Sequence, residues 1–120
     1  ALFDPISTVV ELADEPLMDA AGAVSASGAA YVYAFARALE EAGAAAGLPA
    51  EASKILARST LASAAAFMAA CDGEPSDLIA QVASPGGTTQ AALAVLDPAL
   101  RKAMTEAVAA AVRRAQELAG

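Results

Sequence analysis

The stretch Ser84-Pro85-Gly86-Gly87-Thr88-Thr89 decides how the rest of the sequence is interpreted, because it places glycine, proline and hydroxyl side chains between two alanine-rich helical patterns. The two glycines let a ligand approach the main chain closely, and Pro85 disfavours a helical Ser84. Thr88 and Thr89 begin a helical pattern. The first amides of a helix have no internal partner and lie at the positive end of its dipole. Such amides and hydroxyls favour a carboxylate or phosphate, whereas spacing alone also permits an ordinary turn and helix cap.

The composition predicts a single domain with a thin core. Of the 120 residues 58% are hydrophobic, but 37 are alanine and only five are aromatic. Alanine buries little apolar area, and the hydrophobic contribution to stability is roughly proportional to that area. Small residues on helix faces also permit close helix approach. We therefore expect a closely packed or intertwined oligomer rather than an isolated chain.

The charged, histidine and cysteine content excludes several function classes. The net charge is −7, and the basic residues are scattered, so we expect no nucleic-acid binding. The absence of histidine removes the commonest general base and transition-metal ligand, and we expect no metal site. A single Cys71 allows no internal disulfide and favours the reducing cytoplasm. No uncharged apolar run approaches roughly 18 residues, and no signal peptide is recognised, so we expect no membrane association.

The order of patterns predicts an all-α helical bundle preceded by one short strand. The β-branched segment Thr8–Leu12 predicts that strand. The first helix is expected to start at Asp14-Glu15-Pro16 and to run to about Val24. Further helices are expected from about Ala29 to Gly47 with Ser27 as N-cap, about Ala50 to Ala70, Ser76 to Val82, Thr88 to Leu96, and from a restart at Asp97-Pro98 to about Leu118. The first residues already have the pattern of a folded segment, which predicts that the chain is a fragment of a longer protein.

Two helix faces carry further expectations. The long second helix has one apolar face, formed by Tyr31, Phe35, Ala38, Leu39 and Ala42. The third helix has a slim face with three hydroxyl side chains, those of Ser59, Thr60 and Ser63. Close helix packing is the preferred interpretation of this slim face, and one wall of a polar pocket is the alternative.

Three motifs in order give the chain a family resemblance. Ser84 to Thr89 reads S-P-G-G-T-T, Ser27 to Tyr31 resembles G-S-G-P-A-Y, and Ala42 to Pro49 resembles A-G-x-x-x-G-L-P. In this order and at nearly these spacings, they make almost all 120 residues similar to the C-terminal half of pyrroline-5-carboxylate reductases.

The resemblance implies a domain organisation. Residues 15–120 would form the helical dimerisation and substrate-binding domain, of the type found at the C-terminus of 6-phosphogluconate dehydrogenase. Residues 1–14 would be the tail of an N-terminal Rossmann domain that this chain lacks. The family forms homodimers through interlocked helices, and these dimers assemble further in some members.

The resemblance also implies an oxidoreductase activity in proline biosynthesis. The family reduces 1-pyrroline-5-carboxylate to L-proline with NADPH or NADH, passing hydride to the C=N carbon. The implied substrate-binding residues, which would hold the carboxylate of the imino acid at the dimer interface, are Ser84, Gly86, Gly87, Thr88 and Thr89. Thr89 would act as the catalytic residue by contacting the ring nitrogen. No G-x-G-x-x-G fingerprint occurs, so the cofactor would be bound mainly by the missing domain, and the chain alone would be inactive.

Several departures from the family pattern keep other functions open. Ala26 and Ala29 replace the usual glycine and proline, Ile79-Ala80 replaces a Lys-Asp pair, and the connection at Asp97-Pro98 lacks the usual Gly-Phe. A reductase of a different cyclic imine is therefore an alternative. A non-catalytic helical oligomerisation module and a phosphate-binding site at the loop are two others.

Overall fold

The computed structural model describes residues 15–83 and 85–120, which form five helices. They are α1 (Glu15–Ser25), α2 (Gly28–Ala45), α3 (Ala50–Ala70), α4 (Pro75–Val82) and α5 (Thr88–Ala119). The described residues contain no strand, and the expected strand at Thr8–Leu12 lies outside them. The all-α prediction is confirmed, as is the order of the helices as far as Thr88.

The helix ends follow from glycine and proline. Gly47 adopts a φ of +111° immediately after α2. Its N–H donates to the carbonyl of Ala44 at 3.0 Å, and the N–H of Leu48 donates to the carbonyl of Gly43 at 3.1 Å. This is the Schellman arrangement, which requires a left-handed residue and therefore favours glycine. Pro49 then occupies the N-cap of α3, where its missing N–H has no helical carbonyl to bond.

The turn between α1 and α2 differs from the expectation for Ser27. Ser27 stands at the N-cap position, but its backbone is helical and its side chain makes no capping hydrogen bond. The N–H of Ser27 donates instead to the carbonyl of Gly22 at 3.1 Å. The hydroxyl of Tyr31 donates to the carbonyl of Ala23 at 2.6 Å. The turn is therefore fixed by backbone hydrogen bonds and a tyrosine rather than by a serine cap.

The predicted restart at Asp97-Pro98 is wrong, because α5 continues through Pro98 to Ala119. A proline within a helix costs about 3 kcal/mol, so local preference alone favours a break. Asp97 is not an N-cap; its carboxylate pairs with Arg101 at 3.1 Å, one turn further along the same helix. Leu96 and Leu100, on either side of Pro98, both line a cleft shared with α2. The helix is therefore continuous on the side that faces this cleft, despite the local signal for a break.

Helices α2 and α3 approach each other closely at Gly43. A Cβ atom placed on Gly43 would lie 2.1 Å from Oγ of Ser53 and 3.2 Å from its Cβ. That hydroxyl is buried and donates to the carbonyl of Glu40 at 2.7 Å. Arg58 of α3 also reaches Glu40, with 3.7 Å between Nε and Oε2. The glycine is therefore required by the distance between the two helices.

The rest of the packing leaves apolar surface uncovered. Besides the α2–α3 contact, α1 packs against α5 and against the start of α2. Among the described side chains, the buried apolar ones are those of Ala23 and Ala57. Every helix exposes large apolar side chains, including Phe35 at 39%, Phe67 at 55% and Val82 at 71% of their surface. The thin core expected from the composition is confirmed.

We expect Gly43→Ala to lower the free energy of unfolding by about 1–3 kcal/mol, the usual cost of forcing extra volume into a close contact. The new methyl group must displace the Ser53 hydroxyl, which also weakens its hydrogen bond to Glu40. Urea denaturation followed by circular dichroism measures the change. The matched control is Gly22→Ala in α1, where the added Cβ would meet no other described residue within 4 Å. Equal effects of the two substitutions would contradict this explanation.

Candidate functional site

The loop before α5 has a defined backbone at each described residue. Ala83 ends α4 in an extended conformation. Gly86 has a φ of +74°, in the left-handed region that favours glycine. Gly87 returns to a φ of −85° and forms the N-cap of α5, which begins at Thr88. Ser84 of the predicted site lies outside the described residues.

The start of α5 presents backbone amides that the helix does not use. The first helical hydrogen bond runs from the N–H of Ala91 to the carbonyl of Gly87, at 3.2 Å. The amides of Thr88, Thr89 and Gln90 therefore precede the first bonded turn. Among the described residues, no side chain caps them. Three amides at the positive end of a 32-residue helix provide hydrogen-bond donors for an anion.

One predicted amide has an internal partner. The backbone N–H of Gly86 donates to Oε1 of Gln90, which lies in the first turn of α5. Gln90 was not among the residues predicted for the site. The missed signal was its position three residues after the N-cap, where glutamine or glutamate reaches back to bond a backbone N–H of the preceding loop.

Thr89 lines a cleft of about 850 Å³ between α3, α4 and the start of α5. Hydroxyl side chains of α3 line the same cleft, namely Ser59, Thr60 and Ser63. Close helix packing, the preferred interpretation of these residues, stays a prediction for the oligomer. Within the single chain they line a wall of the cleft, as the alternative interpretation expects. The cleft arises because α4 leaves space beside this part of α3.

The described residues lining this cleft carry no formal charge. They contain no group of histidine, cysteine, aspartate or glutamate able to hold a metal ion. Any attraction for an anion at Thr89 therefore comes from the helix amides and the hydroxyls. None of the described helices is both long and apolar enough to cross a membrane.

A second cleft, of about 530 Å³, separates α2 from α5 and is almost entirely apolar. The expected apolar face of α2 lines it completely, which confirms that helical spacing. The larger side chains of this cleft are Tyr31, Phe35 and Leu39 of α2 and Leu96, Leu100 and Met104 of α5. We call it the α2–α5 cleft.

Together the helices and the loop define an all-α domain with a candidate anion site at one helix N-terminus. Residues 15–118 match the family model for pyrroline-5-carboxylate reductase dimerisation. The chain therefore belongs to this pyrroline-5-carboxylate reductase dimerisation family.

Curated relatives match nearly the whole chain. A pyrroline-5-carboxylate reductase of Synechocystis is 44% identical over 119 residues, covering 98% of this chain and 44% of the relative. One of Arabidopsis thaliana is 38% identical over 118 residues, covering 98% of this chain and 42% of the relative. The chain thus spans less than half the length of these relatives.

Solved structures have the same fold. A pyrroline-5-carboxylate reductase of Coxiella burnetii superposes with a TM-score of 0.87 at 35% identity, covering 94% of this chain and 42% of the other. The Plasmodium falciparum pyrroline carboxylate reductase, whose structure has NADP bound, gives a TM-score of 0.83 at 31% identity over 93% of this chain and 43% of the other.

We expect Gly86→Ala to destabilise the loop by about 1–2 kcal/mol, because an L-residue with a Cβ pays that penalty in the left-handed region. Gly87→Ala is the matched control, since a φ of −85° is open to alanine. The free energy of unfolding of both variants, measured in urea, tests the difference. A larger loss for Gly87→Ala would show that backbone strain at Gly86 does not govern the loop.

Proposed function

We propose that this chain is the dimerisation and substrate-binding part of an NAD(P)H-dependent reductase that converts 1-pyrroline-5-carboxylate to L-proline. Family membership and the loop that begins α5 support this proposal. Residues 15–120 would form the working domain, and 1–14 would lead from a preceding nucleotide-binding domain. The relatives, more than twice as long as the matched segment, support that division.

In the proposed complex the start of α5 holds the carboxylate of the imino acid. The amides of Thr88 and Thr89 are free for this role, and the hydroxyls of Ser84, Thr88 and Thr89 add further donors. Gly86 and Gly87 let the ligand approach the backbone. Because the Gly86 amide already bonds to Gln90, we assign Gly86 a conformational part rather than a donor part.

Thr89 has the second role, a hydrogen bond to the ring nitrogen. Its side chain lines the cleft between α3 and α5 along with Leu93, so a small ring held at the helix start would meet it. The uncharged wall of this cleft suits the hydrocarbon part of a cyclic imine. No histidine is needed, because positioning the C=N carbon supplies much of the rate in such a reduction.

We do not assign binding of the nicotinamide cofactor of the proposed reaction to residues of this chain. The sequence lacks a glycine-rich dinucleotide fingerprint. The NADP bound to the Plasmodium relative supports the class of cofactor, which would supply the hydride from another part of the protein. The choice between NADPH and NADH, and the cytoplasm as compartment, belong to the same proposal.

The proposal includes a homodimer in which a second copy covers the α2–α5 cleft. The cleft is almost free of polar groups, and its lining includes Phe35, Leu100 and Met104, all more than a third exposed. These exposed apolar side chains support a second copy as the partner that covers this face.

Thr89→Ala in the full-length protein tests the site. We expect kcat/KM for 1-pyrroline-5-carboxylate to fall roughly 10- to 100-fold, since a hydrogen bond to a charged ligand is worth about 1.5–3 kcal/mol. Thr105→Ala is the matched control, because the hydroxyl of this exposed threonine of α5 donates to the carbonyl of Arg101, away from the start of the helix. Equal kinetics in both variants would show that Thr89 is no more than part of a helix start.

Thermal stabilisation by ligands, measured on the same full-length protein, distinguishes the alternative functions. Thermal stabilisation by L-proline supports the imino-acid site, whereas stabilisation by inorganic phosphate without a proline response would support a phosphate site. A wild-type protein without reductase activity or a response to either ligand would support a non-catalytic oligomerisation module.

The dimer is tested by Leu100→Asp, which places a charge in the α2–α5 cleft. We expect sedimentation equilibrium to show dissociation and the thermal midpoint to lose its rise with protein concentration. Leu118→Asp, at the exposed end of α5, is the matched control and should stay dimeric. A wild-type protein that is monomeric at micromolar concentration would refute the dimer.

A further inference from the structure

We infer that Gln90 is a positioning residue of the proposed carboxylate site, an inference that rests on the proposed function. Its side-chain amide oxygen accepts the hydrogen bond of the Gly86 N–H and so holds the loop against the first turn of α5. The backbone N–H groups of Thr88 and Thr89 therefore remain available to donate to the ligand. Gln90 itself need not touch the ligand.

The two sides of the first helical turn separate these roles. Thr89 faces the 850 Å³ cleft, where the proposed ligand lies. Gln90 instead lines an adjoining smaller cleft of about 350 Å³, beside Ser76 of α4, and the two clefts share Ile79 and Leu93. Consecutive residues of a helix point about 100° apart. Gln90 therefore contacts the loop from a different side of the helix than the side that carries Thr89. The internal acceptor therefore does not occupy the position proposed for the ligand.

The neutral charge of Gln90 is also part of the inference. Glutamate, the other residue that makes this backbone contact, could accept the same hydrogen bond. Its negative charge would then stand beside the carboxylate of the ligand, at a loop where the described residues of the ligand cleft offer no cation. The smaller cleft also contains Asp97 and Arg101, but these two pair with each other. Glutamine supplies the acceptor without repelling an anion.

The first test is Gln90→Met in the full-length protein, which keeps the length of the side chain and removes the acceptor. We expect KM for 1-pyrroline-5-carboxylate to rise about fivefold, the effect of one ordinary hydrogen bond. We expect kcat to change less than about twofold, because the carboxylate is held equally in the ground and transition states. Hydrogen–deuterium exchange should become faster in the peptide that contains Gly86.

Gln90→Glu separates the hydrogen bond from the charge. Slow exchange at Gly86 should be retained, since the carboxylate accepts the same bond. KM should nevertheless exceed that of Gln90→Met at low ionic strength, and the excess should shrink as added salt screens the repulsion. A wild-type KM for Gln90→Glu at low salt would overturn the charge argument.

The matched control is Gln116→Met, at an exposed position near the opposite end of α5. It should leave KM and the exchange at Gly86 unchanged. If Gln90→Met matches this control in KM while the wild type is active, the inference is wrong and the proposed function stands. If the wild type fails to reduce the imine, the proposed function itself is wrong and the carboxylate site falls with it.

Discussion

The structure depends on how little apolar area its helices can bury against one another. Alanine and glycine let backbones approach closely, as Gly43 does beside Ser53, but such contacts remove few carbon atoms from water. The buried apolar side chains of the described chain are those of Ala23 and Ala57. Polar ties supplement this small core, since Tyr31 and Ser53 each donate to a backbone carbonyl of another helix. The helices are set at fixed distances while their larger apolar faces stay open.

The negative net charge of the chain opposes the binding of an anion at the candidate site. A chain with a net charge of −7 repels an anionic ligand at long range, and the residues lining the Thr89 cleft supply no positive side chain. Backbone amides at a helix start attract an anion without adding a titratable group. Their effect is confined to about one turn, so the ligand must reach the loop itself. In the proposed complex, the conformation of Gly86 would therefore matter more than any charged side chain nearby.

Local signals in the sequence predicted most of the helices but not the relations between them. The bounds of α3, Ala50–Ala70, follow from Pro49 before it and the glycine- and proline-containing loop after it. Gly47 ends α2 for the reason expected. Pro98 misled because α5 continues through it, and the sequence did not reveal that α1 packs against this helix. The surroundings of the hydroxyl face of α3 could not be predicted, since they depend on where α4 lies. The Gly86–Gln90 contact required the loop conformation itself.

The continuity of α5 joins these features physically. Thr88 and Thr89 stand at its start, and Leu96, Leu100 and Met104 line the α2–α5 cleft further along the same helix. A break at Pro98 would let the first turns move independently of the segment that faces α2. Because the helix is continuous, a second copy seated in that cleft would also orient the amides at the start of α5. Assembly and ligand binding would then be coupled through a single helix, even though no residue is shared between the two surfaces.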